Sequence, residues 1–103
     1  MIKVSVLYPN GNGNRFDMNY YLTSHMPMVK KTIGAPLKGM GVEQGVGTAP
    51  PGTEAPFVAI GYLLFDSVDA FGASFAQHAP PILADIPNYT NIQPMIQVSE
   101  IKM

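Results

Sequence analysis

Ile2, Val4 and Val6 alternate with Lys3 and Ser5 at the start of the chain, a period of two that predicts a half-buried strand. Pro9-Asn10-Gly11-Asn12-Gly13-Asn14 follows as turn chemistry. Asp17 then stands as an N-cap, with Phe16 before it as a staple against the first turn of a helix reaching about Lys31 or Thr32. Gly34 occupies the C-cap position, and Lys30 and Lys31 suit the helix dipole. Leu37 to about Val46 reads as a second strand, in which Gly39, Gly41 and Gly45 suggest a bulge or close backbone contact. Gly47 to Pro56 is a Gly/Pro-rich loop. Phe57 to Phe65 is a continuous apolar run of strand length, expected to be central and covered on both faces. Asp66 or Ser67 caps a second helix, Asp69 favours its first turn, and Val68, Phe71 and Phe75 recur at helical spacing. His78-Ala79-Pro80-Pro81 is expected to break that helix, with a short helical piece from Ile82 to Ile86. Pro87-Asn88-Tyr89 turns the chain into a last strand over Ile92 to Ile101, where Pro94 points to an edge position or a bulge.

The order βαββαβ is the ferredoxin-like plan of the α+β class: an antiparallel sheet with both helices on one face. The other face also carries apolar residues and needs a cover. Two such sheets packed face to face make a dimeric α+β barrel. Composition points the same way. The 103 residues suffice for one domain, 1–103, and only 13% are charged against a usual ~25%. With 47% hydrophobic residues, some apolar surface is expected to be buried against a second copy, so a homodimer is expected. Net charge is −1 and no basic run exceeds Lys30-Lys31, so no nucleic-acid footprint is visible. The absence of cysteine excludes disulfides, thiolate metal sites, iron–sulfur clusters and cysteine nucleophiles. The chain enters its first strand without a signal peptide or a spanning segment, so a cytoplasmic protein with no membrane partner is expected.

Candidate chemistry concentrates in Phe16-Asp17-Met18-Asn19-Tyr20-Tyr21-Leu22-Thr23-Ser24-His25-Met26-Pro27. Pro27 inside a helix removes a hydrogen bond and is expected to kink it, freeing the carbonyl of Thr23. Asp17, Tyr21 and His25 lie at i, i+4 and i+8, so Tyr21 and His25 can meet in one cleft. Histidine titrates near neutrality and suits proton transfer, and a tyrosine hydroxyl can orient a polar group or stabilise an oxyanion. His25 is thus the candidate general acid/base, assisted by Tyr21 or Tyr20. The alternative is that His25 caps an interrupted backbone and the tyrosines are core. Asp17 reads as a cap. Met26, Met28 and Met40 are candidates to line an adaptable apolar cavity, or are ordinary core. Tyr62, Phe75 and Tyr89 are the further candidate ligand contacts. Asp85-Ile86-Pro87-Asn88-Tyr89-Thr90-Asn91 forms either a pocket rim or a lead into the last strand. His78, before two prolines, reads as structural. Both histidines could bind a metal or haem, but no third metal ligand is evident, and no metal or cofactor is expected. Gly11 and Gly13 raise a phosphate loop, but Phe16 stands where its glycine belongs and the P-loop lysine is missing, so this is a turn. His25-Met26-Pro27 and His78-Ala79-Pro80 fall late in their helices and hint at pseudo-symmetry.

Tyr20-Tyr21 through His25-Met26-Pro27, with Asp85 through Ile92 and the final Gln97-Val98-Ser99-Glu100, make the chain resemble the EthD family over nearly its whole length. The resemblance implies a ferredoxin-like fold paired as a dimeric α+β barrel. It carries over to His25, Tyr20, Tyr21, Pro27, Asp85, Pro87 and Tyr89. Family members are often labelled oxidoreductases or reductases, and related barrels include cofactor-free monooxygenases, muconolactone isomerases and haem-degrading enzymes. No nucleotide fingerprint or cysteine redox pair accompanies the reductase label here. The expected function is binding of a small, mostly apolar, aromatic or polyketide-like molecule between helices and sheet, with cofactor-independent acid–base or oxidative chemistry at His25. The alternative is a non-catalytic carrier of hydrophobic metabolites.

Overall fold

The computed structural model describes all 103 residues. Strand β1 (Ile2–Pro9) leads to a helical segment of three parts: α1 (Met18–Tyr20), a π-helical turn (Tyr21–His25) and α2 (Met26–Ile33). Strands β2 (Gly39–Gln44) and β3 (Phe57–Phe65) follow, then helix α3 (Val68–Ala84), a 3-10 turn (Ile86–Asn88) and strand β4 (Met95–Glu100). The strands lie in the order β2-β3-β1-β4, every neighbouring pair antiparallel. This is the expected α+β ferredoxin-like arrangement. No helix is long and apolar enough to cross a membrane.

Register divides the sheet into two faces. Ile2 lies opposite Phe65, Val4 opposite Leu63, Val6 opposite Gly61 and Tyr8 opposite Ala59. Successive side chains alternate between faces, so these residues share the helix side. They meet Tyr21, Met26, Val29, Ile33 and Tyr89 in two adjoining core clusters. The other face carries Leu7, Ile60, Tyr62 and Leu64, all half-exposed in the single chain. β3 is central, as expected, but helices cover only one of its faces.

Local chemistry accounts for the remaining differences. Asp17 caps the first helix by accepting from the Tyr20 N–H at 3.0 Å, and Phe16 packs edge-on against Tyr21 at 5.0 Å as its staple. The helical segment continues through Pro27. The turn before it widens, with the Met26 N–H donating to the Tyr21 carbonyl five residues back, and Pro27 then falls in the first turn of α2. There its missing N–H breaks no intrahelical bond. Helix α3 likewise runs through Pro80 and Pro81 instead of ending at His78. The carbonyls those prolines leave unpaired belong to Ala76 and Gln77, which are exposed and can meet water. Val68 is 58% exposed, so only Phe71 and Phe75 of the expected stripe face inward. β2 is shorter than 37–46, since Leu37 closes a turn onto Gly34, and a Cβ on Gly41 would strike the Tyr62 ring. β4 begins at Met95 because Ile92 is buried in the core and Pro94 cannot donate to a ladder.

Candidate functional site

A cavity of about 260 Å³ lies between the helices and the sheet. Its walls are apolar: Val4, Val6, Leu63 and Phe65 from the sheet, Met26, Val29 and Ile33 from α2, Phe71, Phe75, Ile82 and Leu83 from α3, and Ile96 from β4. Side chains with polar atoms in the lining are Tyr8, Tyr21, His25, Tyr62 and Tyr89.

The widened turn sets the first two aromatic rings at this end. Tyr21 and His25 stack at 5.4 Å with planes 12° apart, and both are buried. Tyr89 tilts against the imidazole from the other side, 4.6 Å between centroids. The Tyr8 hydroxyl meets that of Tyr89 at 2.7 Å and adjoins that of Tyr21. Gly61 makes room for this cluster, because any Cβ there would collide with the Tyr21 hydroxyl.

His25 is joined to Asp85, sixty positions away, by an Nδ1···Oδ2 contact of 2.8 Å. The other carboxylate oxygen accepts from the Tyr20 hydroxyl at 2.7 Å and from the Asn88 amide at 3.0 Å. Burial depresses the imidazole pKa below its ordinary 6.5, against the opposing pull of Asp85. For Asp85, burial acts to raise the pKa, but hydrogen bonds from Asn88, Tyr20 and His25 prevail and hold it below its ordinary 3.8. Near neutrality the pair is therefore a neutral imidazole and a carboxylate. Asp85 can only accept, so Nδ1 carries the proton and Nε2 carries a lone pair. Nε2 has no protein partner and is not sealed off, since no fully buried side-chain polar atom is left unsatisfied, and His25 lines the cavity. Burial raises the Tyr8, Tyr21 and Tyr89 phenols and keeps them protonated as donors. Tyr20 is raised by its hydrogen bond to Asp85.

Each residue of the late motif has a place. Asp85 ends α3, Ile86 borders the cavity, Pro87 sits in the 3-10 turn, Asn88 braces Asp85, and Tyr89 packs on His25. Thr90 and Asn91 tie this segment to Arg15 and Gly13, beside the start of the first helix.

Among the residues singled out from sequence, Tyr21, His25, Met26, Phe75 and Tyr89 converge on the cavity. Tyr62 borders it beside Gly61, while its ring lies across Gly41 on the opposite sheet face with the Lys3 ammonium 4.6 Å above it. Tyr20 stands behind Asp85, outside the lining. Met28 packs near Val29 and Ile33, and Met40 bridges the two core clusters, so neither borders the cavity. His78 lies elsewhere on α3. No three potential metal ligands come together. Sequence reasoning passed over Tyr8 and Gly61. Tyr8 continues the alternation of Ile2, Val4 and Val6, and a lone glycine inside an apolar strand signals a close approach, so both had readable signs.

A ferredoxin-like α+β layer with an apolar cavity and a carboxylate-held histidine at its end defines the class of protein. The EthD domain model matches residues 14–93, and the chain belongs to the EthD family. The crystal structure of an EthD-like protein from Ralstonia eutropha is similar, with 43% identity and a TM-score of 0.91 over 96% of this chain and 89% of that one. An ethyl tert-butyl ether degradation (EthD) family protein from Bacillus halodurans shares the fold at a TM-score of 0.69 and 17% identity, over 99% of each chain. No curated protein matches the chain.

Proposed function

We propose that the cavity binds a small, mostly apolar molecule of aromatic or polyketide-like character, and that His25 acts on it as general acid/base. The chemistry is cofactor-independent, either proton transfer of the isomerase or lyase kind or oxidation of the monooxygenase kind with dioxygen as the oxidant. The observation that supports this reading is the His25–Asp85 pair, with Nδ1 tied to the carboxylate and Nε2 unpaired on a ring that lines an apolar cavity. Asp85 orients the ring and stabilises the imidazolium that forms when Nε2 takes a proton, and the Tyr8–Tyr21–Tyr89 cluster offers a hydroxyl to an oxygen that gains negative charge. Tyr20 and Asn88 hold Asp85 in place.

Native mass spectrometry of the freshly purified protein, followed by denaturation, identifies what it carries. Conversion of that compound by His25→Ala is expected to fall by ~10²–10⁴-fold while binding persists. Unchanged conversion would sink the acid/base role. A carrier of hydrophobic metabolites is the second reading, favoured by a lining that is almost wholly aliphatic and aromatic. It requires binding with no conversion by the wild type.

The same proposal includes a cytoplasmic homodimer with its sheets face to face. Its support is the half-exposed Leu7, Ile60, Tyr62 and Leu64 face and the slab-like shape, 40 × 34 × 19 Å, with only 16 of 103 residues buried.

A further inference from the structure

The hydroxyls at the cavity's end can be counted. Tyr8, Tyr21 and Tyr89 each carry one O–H proton. The 2.7 Å contact between Tyr8 and Tyr89 uses one of them, and the Tyr21 hydroxyl adjoins that of Tyr8, which can take a second. At least one O–H remains without a protein acceptor. The His25 imidazole packs against two of these rings, 4.6 Å from Tyr89 and 5.4 Å from Tyr21 between centroids, and its Nε2 offers a lone pair. The polar end thus presents one donor and one acceptor to the same region. No lysine or arginine lines the cavity, and the charge behind His25 is the Asp85 carboxylate. An anionic ligand would sit in an apolar enclosure with no counter-charge and a carboxylate nearby, which is costly.

We propose that the ligand is a neutral phenol or enol, whose hydroxyl donates to His25 Nε2 and accepts from the tyrosine cluster, with its apolar body against Phe71, Phe75 and Ile96. This assignment rests on the small-molecule reading above and names the group that His25 addresses. A ketone or an ether satisfies the tyrosine donor but leaves Nε2 unpaired. A hydroxyl on an sp² carbon is a stronger donor to an imidazole than that of an alkanol, and its planar body suits aromatic walls. An engineered cavity of about 150 Å³ holds benzene, so this one accommodates two fused rings.

Equilibrium dialysis of the purified protein near neutral pH against 2-naphthol, 2-methoxynaphthalene and 2-naphthoate tests the assignment. The naphthol is expected to bind about tenfold more tightly than its methyl ether, a ratio equivalent to ~1.4 kcal/mol. The naphthoate is expected to remain unbound, and His25→Ala to bring the naphthol down to the affinity of the ether. Equal binding of naphthol and ether by the wild type would overturn the hydroxyl assignment and leave the apolar-cavity reading intact. Tightest binding of the naphthoate would overturn the assignment through its charge argument. Failure of all three to bind would overturn the assignment and the small-molecule reading together.

Discussion

His25 is surrounded by groups that desolvate it and held by one that charges it, and these influences have opposite signs. Burial wins, so the folded state binds a proton on His25 less readily than the unfolded chain does. Stability from this source is therefore fully present above pH 6.5 and declines as pH falls from there towards the lowered folded pKa. Asp85, held below 3.8, adds a second decline beginning below that value. Urea midpoints measured from roughly pH 8 to pH 3 should show both falls, and His25→Gln should lack the upper one. Asp85→Asn removes the carboxylate's attraction for the imidazolium, so an NMR titration should place the His25 pKa lower still than in the wild type. A rise would contradict the assigned pairing.

At the scale of elements, the site depends on strand β3 tolerating a ring laid directly on its backbone. Gly61 permits this for Tyr21, and Gly61→Ala should cost about 1–3 kcal/mol of stability through overpacking. Since the collision is with the hydroxyl, adding Tyr21→Phe should restore part of that loss, and a double-mutant cycle by denaturant unfolding measures the coupling. A cycle with no coupling would place the strain elsewhere. Helix α3 shows the reverse situation, with two prolines tolerated because the unpaired carbonyls meet water. Replacing Pro80 and Pro81 by alanine supplies both N–H groups on an exposed surface, and should raise the thermal midpoint.

At the scale of the molecule, one sheet face is covered by helices and the other is not. A compact chain of 103 residues has a radius of gyration of ~13 Å, and this one has 14.1 Å. A two-layer slab of this kind leaves one face of its sheet without a helical cover. On the proposed dimer, Ile60→Lys places a charge in the middle of the buried face. Sedimentation should find a dimer for the wild type and a monomer for this variant. A monomeric wild type would remove the dimer while leaving the cavity, whose lining described above comes from one chain.

Periodicity and caps were enough to determine the element order and the stapled helix start, because each follows from neighbours within a few residues, and the antiparallel class followed from matching that order to the ferredoxin-like plan. Tyr21 and His25 were legible as a pair for the same reason, their spacing along one helix. Tyr8 and Gly61 left weaker local marks. Tertiary structure alone decided that His25 pairs with Asp85, that Tyr8 meets Tyr89, and that Met28 and Met40 stand away from the cavity. Those contacts join segments brought together by folding the sheet, and a spacing of sixty or eighty residues carries no local signal. Whether a proline breaks a helix was decided at the same level. Its cost depends on where the freed carbonyl points, and only the packed chain sets which carbonyls reach water.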